Sequence, residues 1–318
     1  MKLTILIFFF LSYDIAAGQS GDTSFKAYDQ AIPGFTVTIK MVPIKSGSFL
    51  MGSKPNEKGR DADEGPQRTF LISAFWMGAY EVTYDEYKTF LTDESFTQNN
   101  NADAITRPSP PYVDFTLGMG KEGGYPANSM QQYAALMYCY WLYKKTGIFF
   151  RLPTEAEWEY ACRAGNPSTY FFGNDEKLLD QYAWYANNSG NHYHKVGELK
   201  PNPWGLYDIL GNVDEWTLDQ YNEDYFKIEK DSTGNPFIQP TRRNPRTIRG
   251  GDYKAPPIDL RAAARIQSDL SWNRRDPQIP KSKWWNTDAP FIGFRIVRPV
   301  KQPTAEEAEK FFELYLIK

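Results

Sequence analysis

Arg151-Leu-Pro-Thr-Glu-Ala-Glu-Trp-Glu-Tyr-Ala161, continued by Cys162 and Arg163, is the stretch from which the fold can be read. Thr154 is followed three residues later by Glu157. This Thr-x-x-Glu spacing predicts a capping box, in which each side chain satisfies an orphan amide at a helix start. A helix is therefore expected over 154–163. Immediately upstream, Ser129-Met-Gln-Gln-Tyr-Ala-Ala-Leu-Met-Tyr-Cys-Tyr-Trp-Leu-Tyr-Lys-Lys-Thr-Gly147 is the longest helical pattern in the chain. Its Lys-Lys-Thr-Gly ending is a helix C-terminal signal. Two consecutive helices in the middle of the chain then need something to pack on.

The flanks supply strands. Thr36-Val-Thr-Ile-Lys-Met-Val-Pro-Ile44 alternates and reads as one, and Ser46-Gly-Ser-Phe-Leu-Met-Gly-Ser53 follows after a turn. Arg68 to Thr83, RTFLISAFWMGAYEVT, reads as a further strand, and Thr83-Tyr-Asp-Glu86 opens a short helix. Residues 95–125 form a long Asn/Pro/Gly-rich excursion of the kind that usually serves binding. Beyond Arg163 the chain reads as short strands and loops to about 300, and Thr304-Ala-Glu-Glu307 caps a last amphipathic helix. No repeat and no internal boundary appears. The expectation is one α+β domain over 38–300 with a C-terminal helix over 301–318, its helices packed on a small antiparallel sheet.

Composition agrees with an irregular fold. Among 318 residues, aromatics reach 16% beside 23 Gly and 22 Pro, which points to loops pinned by aromatic anchors. A net charge of -3 with no run of like charge gives no reason to expect a nucleic-acid partner. Lys2, the apolar run after it and Ala16-Ala17-Gly18 read as a signal peptide over 1–18, followed by a loosely ordered leader over 19–37. The run is too short for a hydrocarbon layer of ~30 Å. A periplasmic or secreted protein without a transmembrane segment is expected. Cys139 and Cys162 are the only cysteines. In an exported chain they could close a loop of about 24 residues, worth roughly 3 kcal/mol, or remain buried thiols inside helices.

Seven segments in fixed order carry a resemblance: Gly47–Gly52, Tyr80–Thr83, Arg151–Ala161, Trp204–Asp208, Gly211–Trp216, Arg249–Gly251 and Gly293–Arg295. Together they resemble the formylglycine-generating enzyme, or sulfatase-modifying factor, family. The resemblance implies an irregular variant of the C-type lectin fold. Family enzymes oxidise a sulfatase cysteine using copper held by two cysteines just after the Arg-Gly-Gly turn. Here that segment is Asp252-Tyr-Lys-Ala-Pro-Pro-Ile-Asp-Leu-Arg261, with Ala255 at the first cysteine position. Cu(I) needs soft thiolates, so copper is not expected. The usual bridging partners of Cys139 and Cys162 correspond to positions near Ala262 and Ile296, which implies free thiols.

The resemblance also implies calcium, at Asp208, Gly211, Val213 and Glu215, through two carboxylates and two backbone carbonyls. The other reading is a tight turn whose acids accept backbone hydrogen bonds. Asp214 replaces a family aromatic and could face solvent or add charge to the site. A second calcium position after Tyr185-Ala-Asn187-Asn188 lacks an acidic ligand. His192 and His194 would share one face of a strand but have no third ligand, so they read as loop residues rather than a catalytic metal site. On the cleft side, Asp252, Tyr253, Trp272, Arg274, Arg275, Trp284 and Trp285 are candidate ligand contacts. The competing reading has the tryptophans pack inward. Arg261 and Arg265 read as framework. These observations predict a non-catalytic binding or assembly protein for a protein, peptide or glycan ligand. The alternative is an enzyme of this family, either the sulfatase-maturing oxidase or another chemistry.

Overall fold

Strand alternation sets up two cores on one sheet. The structure is a computed structural model that describes residues 25–96 and 114–316. The signal-like segment 1–18 and much of the excursion over 95–125 lie outside the described residues. In chain order the strands are β1 (Tyr28–Ala31), β2 (Thr38–Ile44), β3 (Gly47–Met51), β4 (Arg68–Ile72) and β5 (Phe75–Gly78). Then come α1 (Tyr84–Thr92), α2 (Gln132–Thr146), α3 (Glu155–Arg163), β6 (Asp214–Gln220) and α4 (Tyr225–Ile228). The chain continues through β7 (Arg246–Arg249), β8 (Ile266–Gln267), β9 (Ile292–Phe294), β10 (Val297–Pro299) and α5 (Ala305–Leu316).

The strands form a four-stranded antiparallel sheet in the order β1-β2-β5-β10, a β3-β4 hairpin, and a second four-stranded sheet in the order β8-β7-β6-β9. In the second sheet β6 and β9 run parallel. Two four-stranded sheets and a two-stranded one therefore replace the single small antiparallel sheet expected. On the first sheet, Ile39, Met41 and Trp76 point into a core with α2. Val42, Ile44, Phe75 and Met77 point into another with α3. The two cores are opposite faces of the same strands, as the period of two requires.

Three expectations are corrected. The leader is not loose from Phe25 onward: β1 pairs with β2, and Trp76 Nε1 donates to Lys26 O at 2.9 Å. The stretch over 68–83 is two strands in different sheets. The chain turns at Ser73, whose amide donates to Asn235 Oδ1 at 2.8 Å, a partner no local pattern could announce. α2 begins at Gln132, because Pro126 and Met130 form bridges to Thr83 and Trp285 instead.

Local signals held where both partners lie within one turn. Thr83 and Glu86, and Thr154 and Glu157, form reciprocal capping boxes. α2 ends at Gly147, φ +70°, whose amide donates to Tyr143 O at 2.8 Å. α2 buries residues around its whole circumference, which suits a helix enclosed by other elements.

Cys139 and Cys162 are unbridged and buried, one in each core. Burial pushes both thiols up, Cys162 to about 12. Neither thiol is expected to react with Ellman's reagent at neutral pH until denaturant is added. Rapid titration of one thiol in the native protein would contradict this placement.

Candidate functional site

The loop before β6 doubles back through three left-handed residues, Asp208 (φ +52°), Gly211 (φ +79°) and Asn212 (φ +59°). At Gly211 a Cβ would lie 2.3 Å from the Trp184 carbonyl oxygen, so only glycine fits. Asn212 ties this turn to its neighbours. Its Nδ2 donates to Glu81 Oε2 at 2.6 Å and its Oδ1 accepts from the His194 amide at 2.8 Å. Its carbonyl accepts from the Tyr253 amide at 3.0 Å.

Glu215 is buried and fully engaged. Arg295 donates to it through Nε at 3.0 Å and Nη2 at 2.7 Å, and Trp158 Nε1 donates at 2.8 Å. A carboxylate offers about four acceptor positions, and these three donors engage both of its oxygens. Asp208 differs: Oδ2 accepts from the Gly197 amide at 2.7 Å, whereas Oδ1 is buried with no donor. Burial pushes Asp208 up to about 6, and Arg295 partly opposes this. Glu81 is raised by burial first, then by Asp208 and Glu215. Three buried carboxylates thus share one guanidinium. Glu81 lies in the Tyr80–Thr83 segment but was assigned no role from sequence. The legible signal was an acid inside an otherwise strand-like apolar run.

The segment after Arg249-Gly-Gly251 forms a second acidic centre. Asp214 is 4% exposed and does not face solvent; its carboxylate accepts from the Gly251 backbone, while Oδ1 has no partner. Burial and then the Asp252 charge hold it well above the ordinary carboxylate range. Asp252 is half-buried and accepts from the Lys254 amide at 2.5 Å. The Tyr253 hydroxyl is buried without a partner. The Tyr253 carbonyl accepts from Ser189 Oγ at 2.6 Å.

The expected exposed Arg/Trp surface is corrected. Trp284 and Trp285 are buried in the α2 core, and half-buried Trp272 packs edge-on to Phe291 at 5.3 Å. Burying these rings removes large apolar areas from water, which outweighs presenting them to a ligand. Arg274 and Arg275 are exposed, and Arg275 pairs with Asp288. Arg261 pairs with Glu64 at 2.6 Å and Arg265 with Glu155 at 2.6 Å, both buried framework contacts.

The two histidines do meet, with ring centroids 4.4 Å apart, but His194 stacks on Trp184 and its Nε2 lies 2.8 Å from Ser189 O. Asn188 is a turn former: its Oδ1 accepts from the Tyr185 amide and its Nδ2 donates to Ala183 O. Among the described residues no group of three or more His, Cys, Asp or Glu side chains is placed to hold a metal.

Comparison with known proteins is consistent with this framework. Residues 33–300 match the family described as sulfatase-modifying factor enzyme 1-like domain. The formylglycine-generating enzyme of Bos taurus is 30% identical over 278 residues, covering 72% of this chain and 70% of that one. A protein named serine/threonine-protein kinase pkn1 from Chlamydia caviae is 29% identical over 266 residues, covering 82% of this chain. The chain spans only 38% of that relative's length. The solved structure of PvdO from Pseudomonas aeruginosa superposes with a TM-score of 0.68 at 26% identity, covering 87% of this chain and 98% of that one.

Proposed function

This chain belongs to the sulfatase-modifying factor family, and from that premise we propose that it is an exported, non-catalytic binding or assembly protein. The fold of the formylglycine-generating enzymes is kept and their thiol chemistry is not. One observation carries the reading: the segment Asp252–Arg261 after the Arg-Gly-Gly turn holds no cysteine, and both thiols of the chain are locked in the cores. Carboxylates and a phenol in that segment are hard donors and cannot replace a Cu(I) dithiolate. Export rests on the charged and apolar start of the chain. No helix among the described residues is long and apolar enough to cross a membrane.

The test is a Cu(I) titration against a competing chelator, run beside incubation with a sulfatase-type cysteine peptide. Neither metal retention nor aldehyde formation is expected. Stoichiometric Cu(I) binding or peptide aldehyde would overturn the reading and restore an oxidase.

Calcium belongs to this proposal too. An ion at the 208–215 loop would take Asp208 Oδ1, the buried oxygen without a donor, together with the carbonyl oxygens of Gly211 and Val213. Glu215 would contribute charge rather than a free oxygen, since Arg295 and Trp158 already hold it. Bound calcium stabilises only the folded state. EGTA is therefore expected to lower the melting temperature of the wild type and leave Asp208→Asn unmoved. Equal melting curves with and without EGTA would leave the loop a structural turn.

A further inference from the structure

The N-terminal end of α2 borders a cavity of about 240 Å³ lined by Gln131, Tyr133, Trp216, Arg243, Arg246 and Lys283, among others. Among the described residues no Asp or Glu lines it. Arg246 is only 7% exposed, and its Nη1 has no hydrogen-bond partner. Its Nε donates to Arg243 O at 3.1 Å and its backbone amide to Ser268 Oγ at 2.8 Å. Among the described residues, no carboxylate forms an ion pair with Arg243, Arg246 or Lys283. Every other buried arginine discussed above has an acid against it: Arg249 has Glu159, Arg261 has Glu64, Arg265 has Glu155 and Arg295 has Glu215. A buried guanidinium left unpaired is costly. Burial pulls Arg246 down to about 10, consistent with that cost.

The groups that line the cavity favour negative charge, and the one carboxylate felt by Arg246, Asp219, is not among them. Arg243 Nη2 donates to Gln131 Oε1 at 2.7 Å, and Lys283 lies over the Tyr133 ring at 4.5 Å. The first turn of α2 contains no acid, and Gln131 does not cap it: its Nε2 donates instead to Ser282 O at 2.9 Å. The positive end of a fifteen-residue helix thus reaches the same space as three cationic side chains. Trp216 and Tyr315 add aromatic wall. At about 240 Å³ the cavity has room for a small molecule and far too little for a folded partner.

We propose that this cavity binds a small organic oxyanion, a carboxylate or phosphate group held by Arg246 and Arg243, with its apolar body against Trp216. No residue of the 208–215 loop or of the thiol-free segment 252–261 lines the site. It stands or falls independently of the function proposed above.

The experiment is calorimetry and thermal melting of the full chain with sodium benzoate, acetate and inorganic phosphate. Sodium chloride at matched ionic strength is the reference. Saturable binding is expected, with benzoate tighter than acetate. Arg243→Gln, an exposed position, should weaken benzoate about tenfold or more while leaving the ligand-free melting temperature unchanged. Arg246→Met should abolish binding; if that variant fails to fold, Arg243→Gln alone decides. No saturable binding by any anion, or equal binding by wild type and Arg243→Gln, would overturn the site. Phosphate binding without benzoate binding would overturn the apolar body.

Discussion

Arg295→Leu is expected to cost about 3–5 kcal/mol of unfolding free energy, a large share of the ~5–15 kcal/mol that holds a typical domain together. Arg295 is fully buried and donates to both oxygens of Glu215, to Gly78 O at 2.8 Å and to Tyr207 O at 2.8 Å. It is also the cation facing Glu81 and Asp208. Leucine fills part of the space but leaves three buried carboxylates without a counter-charge and two carbonyls without a donor. Arg295→Lys keeps the charge and loses the fork, so it should fall between wild type and Arg295→Leu. Urea unfolding measures both. A loss below about 1 kcal/mol for Arg295→Leu would mean that the acids are neutral in the native state and that the ion pair is not what holds them.

Trp158→Ala should be comparably severe, at about 3–5 kcal/mol. The indole is completely buried in the α3 core, and the guanidinium carbon of Arg249 lies 5.3 Å from its ring centroid. Its Nε1 also donates to Glu215. Trp158→Phe keeps most of the packing and removes the donor, so it isolates the hydrogen bond to a charged acceptor, about 1.5–3 kcal/mol. If Trp158→Phe is neutral while Trp158→Ala is severe, the indole acts by volume alone. If Trp158→Phe is instead destabilising, the double variant with Glu215→Gln should be less destabilised than the sum of the two singles, because both weaken the same charged hydrogen bond.

Arg295 and Trp158 show why the site was only partly readable from sequence. Glu215 reads from sequence as a candidate calcium ligand, whereas the partner that engages it in the structure, Arg295, lies 80 residues away. The same holds for Arg249 with Glu159, 90 residues apart, and Arg261 with Glu64, 197 residues apart. Sequence pattern showed that acids and arginines were plentiful. It did not show that Arg246 would be the buried arginine left without one.

What the chain alone determined were features whose two partners lie within a turn of each other. Thr83 with Glu86, Thr154 with Glu157 and the Gly147 helix end all formed where spacing placed them. The family was likewise legible, because ordered segments such as Arg249–Gly251 and Gly293–Arg295 are linear text. So was the absence of cysteine from the Asp252–Arg261 segment, since a missing cysteine needs no fold to be seen. Tertiary structure alone decided whether Trp284 and Trp285 meet solvent or core, whether Tyr28–Ala31 joins a sheet, and whether 68–83 is one strand or two. Each of those outcomes depends on which distant surface arrives to cover the residues. Burial and long-range pairing are properties of the packed chain, and local propensity yields to them when they conflict.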